Sequence, residues 1–248
     1  MQSFLEFLSK NFDVYTQRAR LQPALIAVLP ITFVAIACFP SNFLGLAIIV
    51  TLSITCGLIA LLAQIGRNLG KQKEPKLFES WGGKPTTRML RHKDTDNKVI
   101  LGLRHKKLQT LIPDIQIPNF QEEQNDPQYA DEIYEACTEF LIKKTRDPDI
   151  AKKVPLIFAE NCNYGFHRNL WGLKPIGITL SILGFLTIGA FIVYNIFIVK
   201  VFPSPLTISG EIIDFFLLII WIFIITPNWI KPIAESYAKR LLESCDQL

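Results

Sequence analysis

PLTISGEIIDFFLLIIWIFIITP, residues Pro205 to Pro227, joins a long apolar run to two acids, Glu211 and Asp214, near its beginning. A helix rises about 1.5 Å per residue, so about 20 residues cross the hydrocarbon core of a bilayer. The segment from Leu206 to Ile225 has that length, and the two acids, three positions apart, share one helix face. The stretch therefore predicts a membrane span that carries two carboxylates near one mouth.

Outward from this stretch, the apolar residues of the chain collect in two blocks. Half of the residues are apolar and 19% are charged, but the long uncharged runs exclude a single soluble core. The first block, residues 23–65, predicts two spans, Pro23 to Phe39 and Phe43 to Ile65. The second block, residues 175–227, predicts a span from Ile176 to Val199 followed by the opening stretch. We therefore expect four transmembrane helices, arranged as two hairpins.

The residues between and beside the hairpins predict the soluble parts of the chain. Residues 66–174 are long enough for a small cytoplasmic domain of mixed α/β structure. In this domain, Lys98 to Leu103 (KVILGL) indicates a short strand, and Asp126-Pro127 indicates the start of a helix that runs to about Lys144. Residues 1–22 predict an amphipathic helix that lies in the membrane interface or packs on the cytoplasmic domain. Residues 228–248 predict a cytoplasmic C-terminal helix.

The distribution of basic residues predicts the topology. Lysines and arginines flank the start of the first span, the end of the second, the start of the third and the end of the fourth, whereas the loop at residues 39–42 is uncharged. The positive-inside rule then places both termini in the cytoplasm, with the chain in the inner (plasma) membrane. We find no cleavable signal peptide, so the first span doubles as the targeting signal. The five cysteines form no CxxC pair and are expected to be free thiols.

The two acids of the fourth span are the leading candidates for an ion pathway. If several copies of the chain surround an axis, Glu211 and Asp214 form rings of negative charge that attract cations. Asn195 is a further polar candidate, inside the third span. The alternative is that both acids lie above the bilayer and cap the N-terminus of the fourth helix, where negative charge is favoured.

A basic stretch of the cytoplasmic domain is the candidate ligand site. In Glu79 to Arg88 (ESWGGKPTTR), two glycines allow the backbone to approach a ligand, and the basic side chains suit phosphate oxygens. The stretch is not a Walker A loop, because proline follows the lysine. The alternative is a juxtamembrane surface that faces anionic lipid. The candidate ligands of a nucleotide or oligonucleotide are Lys84, Arg88, Arg91, Arg104, Lys106 and Lys107.

The sequence carries no recognisable catalytic motif. Cys162 and His167 have the chemistry of a nucleophile and its base or of two metal ligands, but no second pair accompanies them, and a packing role is favoured. Asp94 and Asp96 indicate a turn rather than a metal site. HExxH, GxSxG, Rossmann and kinase patterns are absent. We therefore predict no enzyme, no cofactor and no metal site.

Three stretches together carry a resemblance to a known group of proteins. They are YTQRARLQPAL from Tyr15, WGGKPTTR from Trp81 and NYGFHRNLWGLKPIG from Asn163. The chain resembles a group of bacterial multi-pass membrane proteins that includes membrane components of antiphage defence, such as the channel-like partner in Hailong-type systems. The resemblance implies a membrane pore under the control of a nucleotide or oligonucleotide signal.

These observations predict an oligomeric, cation-permeable membrane channel, gated by an anionic ligand or a partner protein at the cytoplasmic domain. The alternative is a non-conducting membrane scaffold or adaptor that recruits a cytoplasmic protein, because few polar residues line the spans. A transporter fits less well, since it usually needs more spans or an internal repeat.

Overall fold

The computed structural model describes residues 13–38 and 46–248. Over those ranges the chain is helical and forms no β-strand. Short π-helical turns at Thr16–Leu21, Asn195–Val199 and Ile220–Ile224 extend three of the α-helices, and Ser244–Asp246 is a 3-10 turn. The α-helices are α1 (Gln22–Cys38), α2 (Leu46–Ser80), α3 (Pro85–Arg88), α4 (Lys98–Leu111), α5 (Phe120–Asn125), α6 (Pro127–Thr145), α7 (Pro148–Lys153), α8 (Pro155–Gly172), α9 (Lys174–Tyr194), α10 (Pro205–Ile219) and α11 (Pro227–Glu243).

The predicted mixed α/β domain is wrong, because the expected strand at Lys98 to Leu103 is the first half of α4. The side chain of Asn97 caps this helix and accepts hydrogen bonds from the backbone N–H groups of Val99 and Ile100, each at 3.1 Å. An N-cap of this kind satisfies two backbone donors that a helix start leaves open. Leu101 and Leu108 then lie on one buried face, two turns apart. The cap and this spacing outweigh the β-branched residues at the start.

Three helices in the described ranges are long and apolar enough to cross a membrane, rather than the four predicted. They are Thr16–Cys38, Lys174–Val199 and Pro205–Ile224, and they make the chain compatible with a multi-pass membrane protein. The predicted span Phe43 to Ile65 begins outside the described residues. Its described part belongs to α2, which continues without a break through charged residues to Ser80.

The chain divides into two compact units. The apolar unit comprises Met1–Lys73 and Gly165–Ile230, and the polar unit comprises Glu74–Tyr164 and Lys231–Leu248. The predicted amphipathic helix, residues 1–22, is described only from residue 13 onward, where it leads into the first span.

The polar unit has a hydrophobic core of its own. The predicted helix after Asp126 is confirmed as α6, whose Asp126 cap accepts a hydrogen bond from the backbone of Tyr129 at 3.0 Å. The predicted C-terminal helix is confirmed as α11 with its 3-10 extension. The buried members of the core are Leu90, Leu108, Ala130, Tyr134, Cys137, Leu141, Val154, Ile157, Leu241, Leu242 and Cys245.

The apolar unit packs its spans against one another through small residues. Helices α1, α9 and α10 contact each other in pairs. Its core combines alanines of α1 with large side chains of the later helices, so the helix backbones approach closely, as is common between membrane helices. The buried members are Leu21, Ala24, Ala27, Val28, Leu62, Ala63, Leu170, Leu173, Trp221 and Ile225.

Candidate functional site

The start of α10 places the two acids of the opening stretch inside the helix. Pro205 is its first residue, and the Ser204 hydroxyl accepts a hydrogen bond from the backbone N–H of Thr207 at 3.1 Å. Ser204 therefore caps the helix, and Glu211 and Asp214 follow in the second and third turns. Ser204, and neither of the two acids, is the cap residue of α10.

Asp214 is completely buried inside the apolar unit. A Cβ atom built on Gly184 of α9 would overlap its Oδ2 atom and would lie 3.2 Å from Cβ of Pro30 in α1. Neither carboxylate oxygen has a hydrogen-bond partner among the described residues. Burying a carboxylate without a partner costs several kcal/mol or more, and acids in membrane spans characteristically mark ion or proton pathways. Asp214 is therefore the centre of the candidate site.

Glu211 lies one turn before Asp214 and faces another glycine of α9. A Cβ atom built on Gly189 would lie 3.1 Å from its Oε1 atom, and its Oε2 atom is buried without a partner among the described residues. Glu211 as a whole is half-buried. The acids of α10 thus occupy the space that glycines leave open on the antiparallel helix α9.

The same packing continues toward the other end of the two helices. Trp221 is completely buried, and its indole ring fills the space beside Gly177. Gly177 and Gly184 are seven positions apart, as are Asp214 and Trp221, so two turns of α9 match two turns of α10. Ser181 lies between the glycines, is completely buried and has no described partner for its hydroxyl.

The lysine of α9 does not pair with these acids. The ammonium group of Lys174 donates to the backbone oxygens of Ile222 and Ile225, each at 2.9 Å. It therefore neutralises the C-terminal end of the α10 helix and its π-helical extension, where a cation is favoured. The predicted pore residue Asn195 is also engaged, since its amide donates to the oxygen of Phe191 in its own helix at 2.8 Å.

In the polar unit, three of the predicted ligand residues bind acids of the same unit. Lys84 pairs with Glu135 at 2.6 Å. Arg88 lies 3.9 Å from Asp94 and 3.7 Å from Glu235. These ion pairs neutralise basic side chains that the sequence predicted to bind an anionic ligand.

Arg91 is the most constrained of these residues. Its guanidinium binds both carboxylate oxygens of Asp131, at 2.7 and 2.6 Å, and donates to Asp94 and to the oxygen of Gly82. The hydrogen bonds that Arg91 donates to Asp131 raise the pKa of Arg91 above its ordinary value. Arg91 is buried, so its role in this structure is to hold the Gly82 turn against α6.

The three remaining basic candidates lie on α4. Arg104 lines a cavity of about 320 Å³ together with Arg88, Asp94, Asp96 and Glu235. Lys106 and Lys107 are exposed. The structure therefore brings Arg88 and Arg104 to one cavity, but surrounds them with carboxylates.

A buried polar cluster around Glu123 in the polar unit is not among the sites predicted from the sequence. Its carboxylate accepts hydrogen bonds from the backbone of His92 at 2.7 Å, from the backbone of Lys93 at 3.2 Å and from the Tyr134 hydroxyl at 2.8 Å. The His105 ring stacks on Tyr134, and burial lowers the pKa of His105. The available signal was Tyr134, a residue with a polar tip on the apolar face of α6.

The other residues that the sequence singled out have structural surroundings. Cys162 is buried, and the His167 ring lies 4.1 Å from the Trp229 ring, centre to centre. Asp94 forms ion pairs with Arg88 and Arg91. Among the described residues, no group of three or more His, Cys, Asp or Glu side chains is arranged to hold a metal ion.

Comparison of the chain with family models, with curated proteins and with solved structures finds no match.

Proposed function

We propose that this chain is a protein of the inner (plasma) membrane that passes cations through its apolar unit, with Asp214 as the group that binds them. The observation that carries the proposal is the complete burial of a carboxylate inside three packed, span-length helices without a described partner. A fixed negative group in such a place attracts a cation because it is otherwise costly to keep there.

The positions of the two acids along α10 define the order in which a cation would meet them. Glu211 is half-buried and lies one turn nearer to the Ser204 end, while Asp214 is fully enclosed. A cation that enters from the Ser204 end would meet Glu211 first and Asp214 second. Beyond Asp214, the buried hydroxyl of Ser181 is the next polar group on the facing side of α9.

The proposed orientation places both termini in the cytoplasm. Asn169 donates a hydrogen bond to the oxygen of Ala19 at 2.7 Å, and Lys73 approaches the oxygen of Gly172 at 3.5 Å. These contacts lie at one end of the apolar unit. That end is rich in basic residues, which is typical of the cytoplasmic side of a membrane protein. The basic residues concerned are Arg18, Arg20, Arg67, Lys71, Lys73, Arg168 and Lys174.

The proposal also includes assembly of several copies of the chain and control of the cation pathway by a ligand. The packing restricts how each could work. The walls around Asp214 come from α1, α9 and α10 of one chain, so further copies in a homo-oligomer would multiply the site rather than complete it. Control by a nucleotide or oligonucleotide would act at Lys106 and Lys107, since Lys84, Arg88 and Arg91 are already paired with acids. The resemblance described under Sequence analysis would place such control in bacterial antiphage defence.

The test is cation flux from liposomes that contain the purified full-length chain. We expect flux from the native protein, and we expect Asp214→Asn to reduce it to the leak of protein-free liposomes. Asp149→Asn is the matched control, because Asp149 is an exposed acid of the polar unit that pairs only loosely with Lys152, at 3.3 Å. A folded native protein without flux, or an Asp214→Asn variant that conducts as well as the native protein, would contradict the proposal.

A non-conducting adaptor is the second candidate function, and one feature of α4 favours it. Val99 and Leu103 are 74% and 61% exposed, and they lie four positions apart on one helix face. Apolar residues in such a position suit contact with a cytoplasmic partner protein. If Val99→Ser with Leu103→Ser abolishes the recovery of a stoichiometric partner from native membranes, and the native protein shows no flux, the adaptor function is the correct one.

A further inference from the structure

We infer that the cation bound at Asp214 is a proton rather than a metal ion. This inference deepens the proposed function, on which it rests, because it names the ion. It is drawn from the chemistry of the groups that surround the Asp214 carboxylate.

The described side chains around Asp214 do not form a metal site. Calcium takes about six to eight oxygen ligands and magnesium about six, but no group of three or more His, Cys, Asp or Glu side chains among the described residues is arranged to hold a metal ion. Two of the groups beside the carboxylate, Gly184 and Pro30, carry no side-chain oxygen. Ser181, one turn from Gly184 on α9, adds a single hydroxyl. A proton needs one carboxylate oxygen and no other ligand.

The same surroundings give an ionised carboxylate little support. Proline has no backbone N–H group, so Pro30 cannot donate a hydrogen bond to it. The backbone N–H of Gly184 lies in the middle of α9 and is used by that helix. Burying a neutral acid in such a place costs much less than burying its charged form. The enclosed form of Asp214 is therefore the carboxylic acid.

The charged groups on α1, α9 and α10 do not supply a positive charge to Asp214. A bound proton therefore balances the charge of its carboxylate. Helix α1 contains no Asp, Glu, Lys, Arg or His, and its one titratable group is Cys38 at its end. On α9, Lys174 is held by the oxygens of Ile222 and Ile225, and Tyr194 is exposed at the last position. Glu211, on the same helix as Asp214, is a second acid and supplies no positive charge.

The proposed step is a simple exchange. The Asp214 carboxylate forms an O–H bond with a proton delivered from water by way of Glu211, and the charge of the carboxylate disappears. The O–H bond then breaks, the proton returns to water, and the carboxylate is restored. No oxidant, reductant or further reactant takes part.

The test uses dicyclohexylcarbodiimide, an apolar reagent that adds to protonated carboxyl groups and leaves a stable N-acylurea. The full-length protein in liposomes is treated over a range of pH, and the modified residue is identified by peptide mass spectrometry. We expect modification at Asp214, with a rate that falls as the pH rises and that sodium and potassium ions do not change. The peptide from Asp214→Asn should be unmodified, whereas Asp149→Asn, a change at an exposed acid of the polar unit, should keep the modification at Asp214.

A parallel flux measurement separates this inference from the proposed function. We expect proton flux, followed with a pH-sensitive dye, and no flux of potassium. Potassium flux, together with protection of Asp214 from modification by alkali ions, would refute the assignment of the bound ion as a proton. The proposed cation pathway would still stand. The assignment would also be refuted if Asp214 were not modified at any pH in a protein whose other carboxyl groups react. Modification that depends on pH, in a protein without any flux, would support the proton at Asp214 and refute the pathway.

Discussion

The carboxylate of Asp214 occupies the space where a side chain on Gly184 would lie, since a Cβ atom built on Gly184 would overlap Asp214 Oδ2. The acid of α10 and the glycine of α9 are thus two halves of one packing arrangement. The position of the buried carboxyl group depends on the absence of a single methyl group on the facing helix.

Gly184→Ala should impair the candidate site without removing its acid. The added methyl group would displace the Asp214 carboxylate and would also press on Pro30, which lies 3.2 Å away. We expect the flux from liposomes to fall strongly while the protein still inserts and remains monodisperse in detergent. The control is Gly210→Ala, whose methyl group would make only ordinary contacts with Ile188 and Phe33, at 3.6 and 3.8 Å. Equal flux from both variants would show that the Gly184 contact has no part in the function.

Gly172→Ala should destabilise the apolar unit more than any other glycine substitution in α2 or α8. Its Cβ atom would lie 2.6 Å from the backbone nitrogen of Gly70 and 2.7 Å from the backbone oxygen of Gly66, and backbone atoms cannot turn aside. Overpacking of this kind costs about 1–3 kcal/mol of unfolding free energy. Thermal denaturation in detergent is the measurement, and Gly57→Ala is the control, since nothing described lies within 4 Å of its Cβ position. A Gly172→Ala protein that melts with the control would refute this close approach of the two helices.

Three helices long and apolar enough to cross a membrane were predictable from composition, although the fourth predicted span is not among them. The apolar run Phe215 to Ile225 and the two acids before it were visible in the sequence itself. The enclosure of Asp214 was not predictable in the same way. Its walls are Pro30 and Gly184, which are distant from it in the sequence, and only the packing of three helices brings them together.

The polar unit shows where local patterns mislead. A run such as Val99 to Leu103 suits a strand or a buried helix equally, and the Asn97 cap decides between them. The basic stretch suggested an anionic ligand because its charges were counted along the chain. Asp131, which binds Arg91 through both carboxylate oxygens, comes from α6, 40 residues further along the chain, and no sequence pattern indicates that pairing.

Arg91→Ala should weaken the polar unit far more than Lys84→Ala. Arg91 is buried and donates hydrogen bonds to Asp131, Asp94 and the oxygen of Gly82. Its loss should cost about 1.5–3 kcal/mol, the contribution of hydrogen bonds to charged groups. Lys84 and Glu135 form an exposed pair, whose contribution is about 0–1 kcal/mol. Hydrogen exchange of the backbone amides at residues 82–94, measured by mass spectrometry on the full-length protein, reports the difference locally. Similar protection in the two variants would argue against the structural role of Arg91.

Acid should loosen the polar unit through His105, because its ring is buried against Tyr134 and burial lowers its pKa below the ordinary value of 6.5. A base whose pKa is lower in the folded state binds more protons when unfolded, so stability is undiminished above that ordinary value and falls as the pH drops below it. The neighbouring Glu123 carboxylate opposes this shift by favouring the charged ring, and the charge of His92 adds to it. We expect amide exchange in α4 and α6 to accelerate, beyond its intrinsic pH dependence, as the pH is lowered from about 7 to about 5. His105→Asn removes the titrating group and should flatten this dependence. A profile that is the same in both proteins would contradict this role of His105.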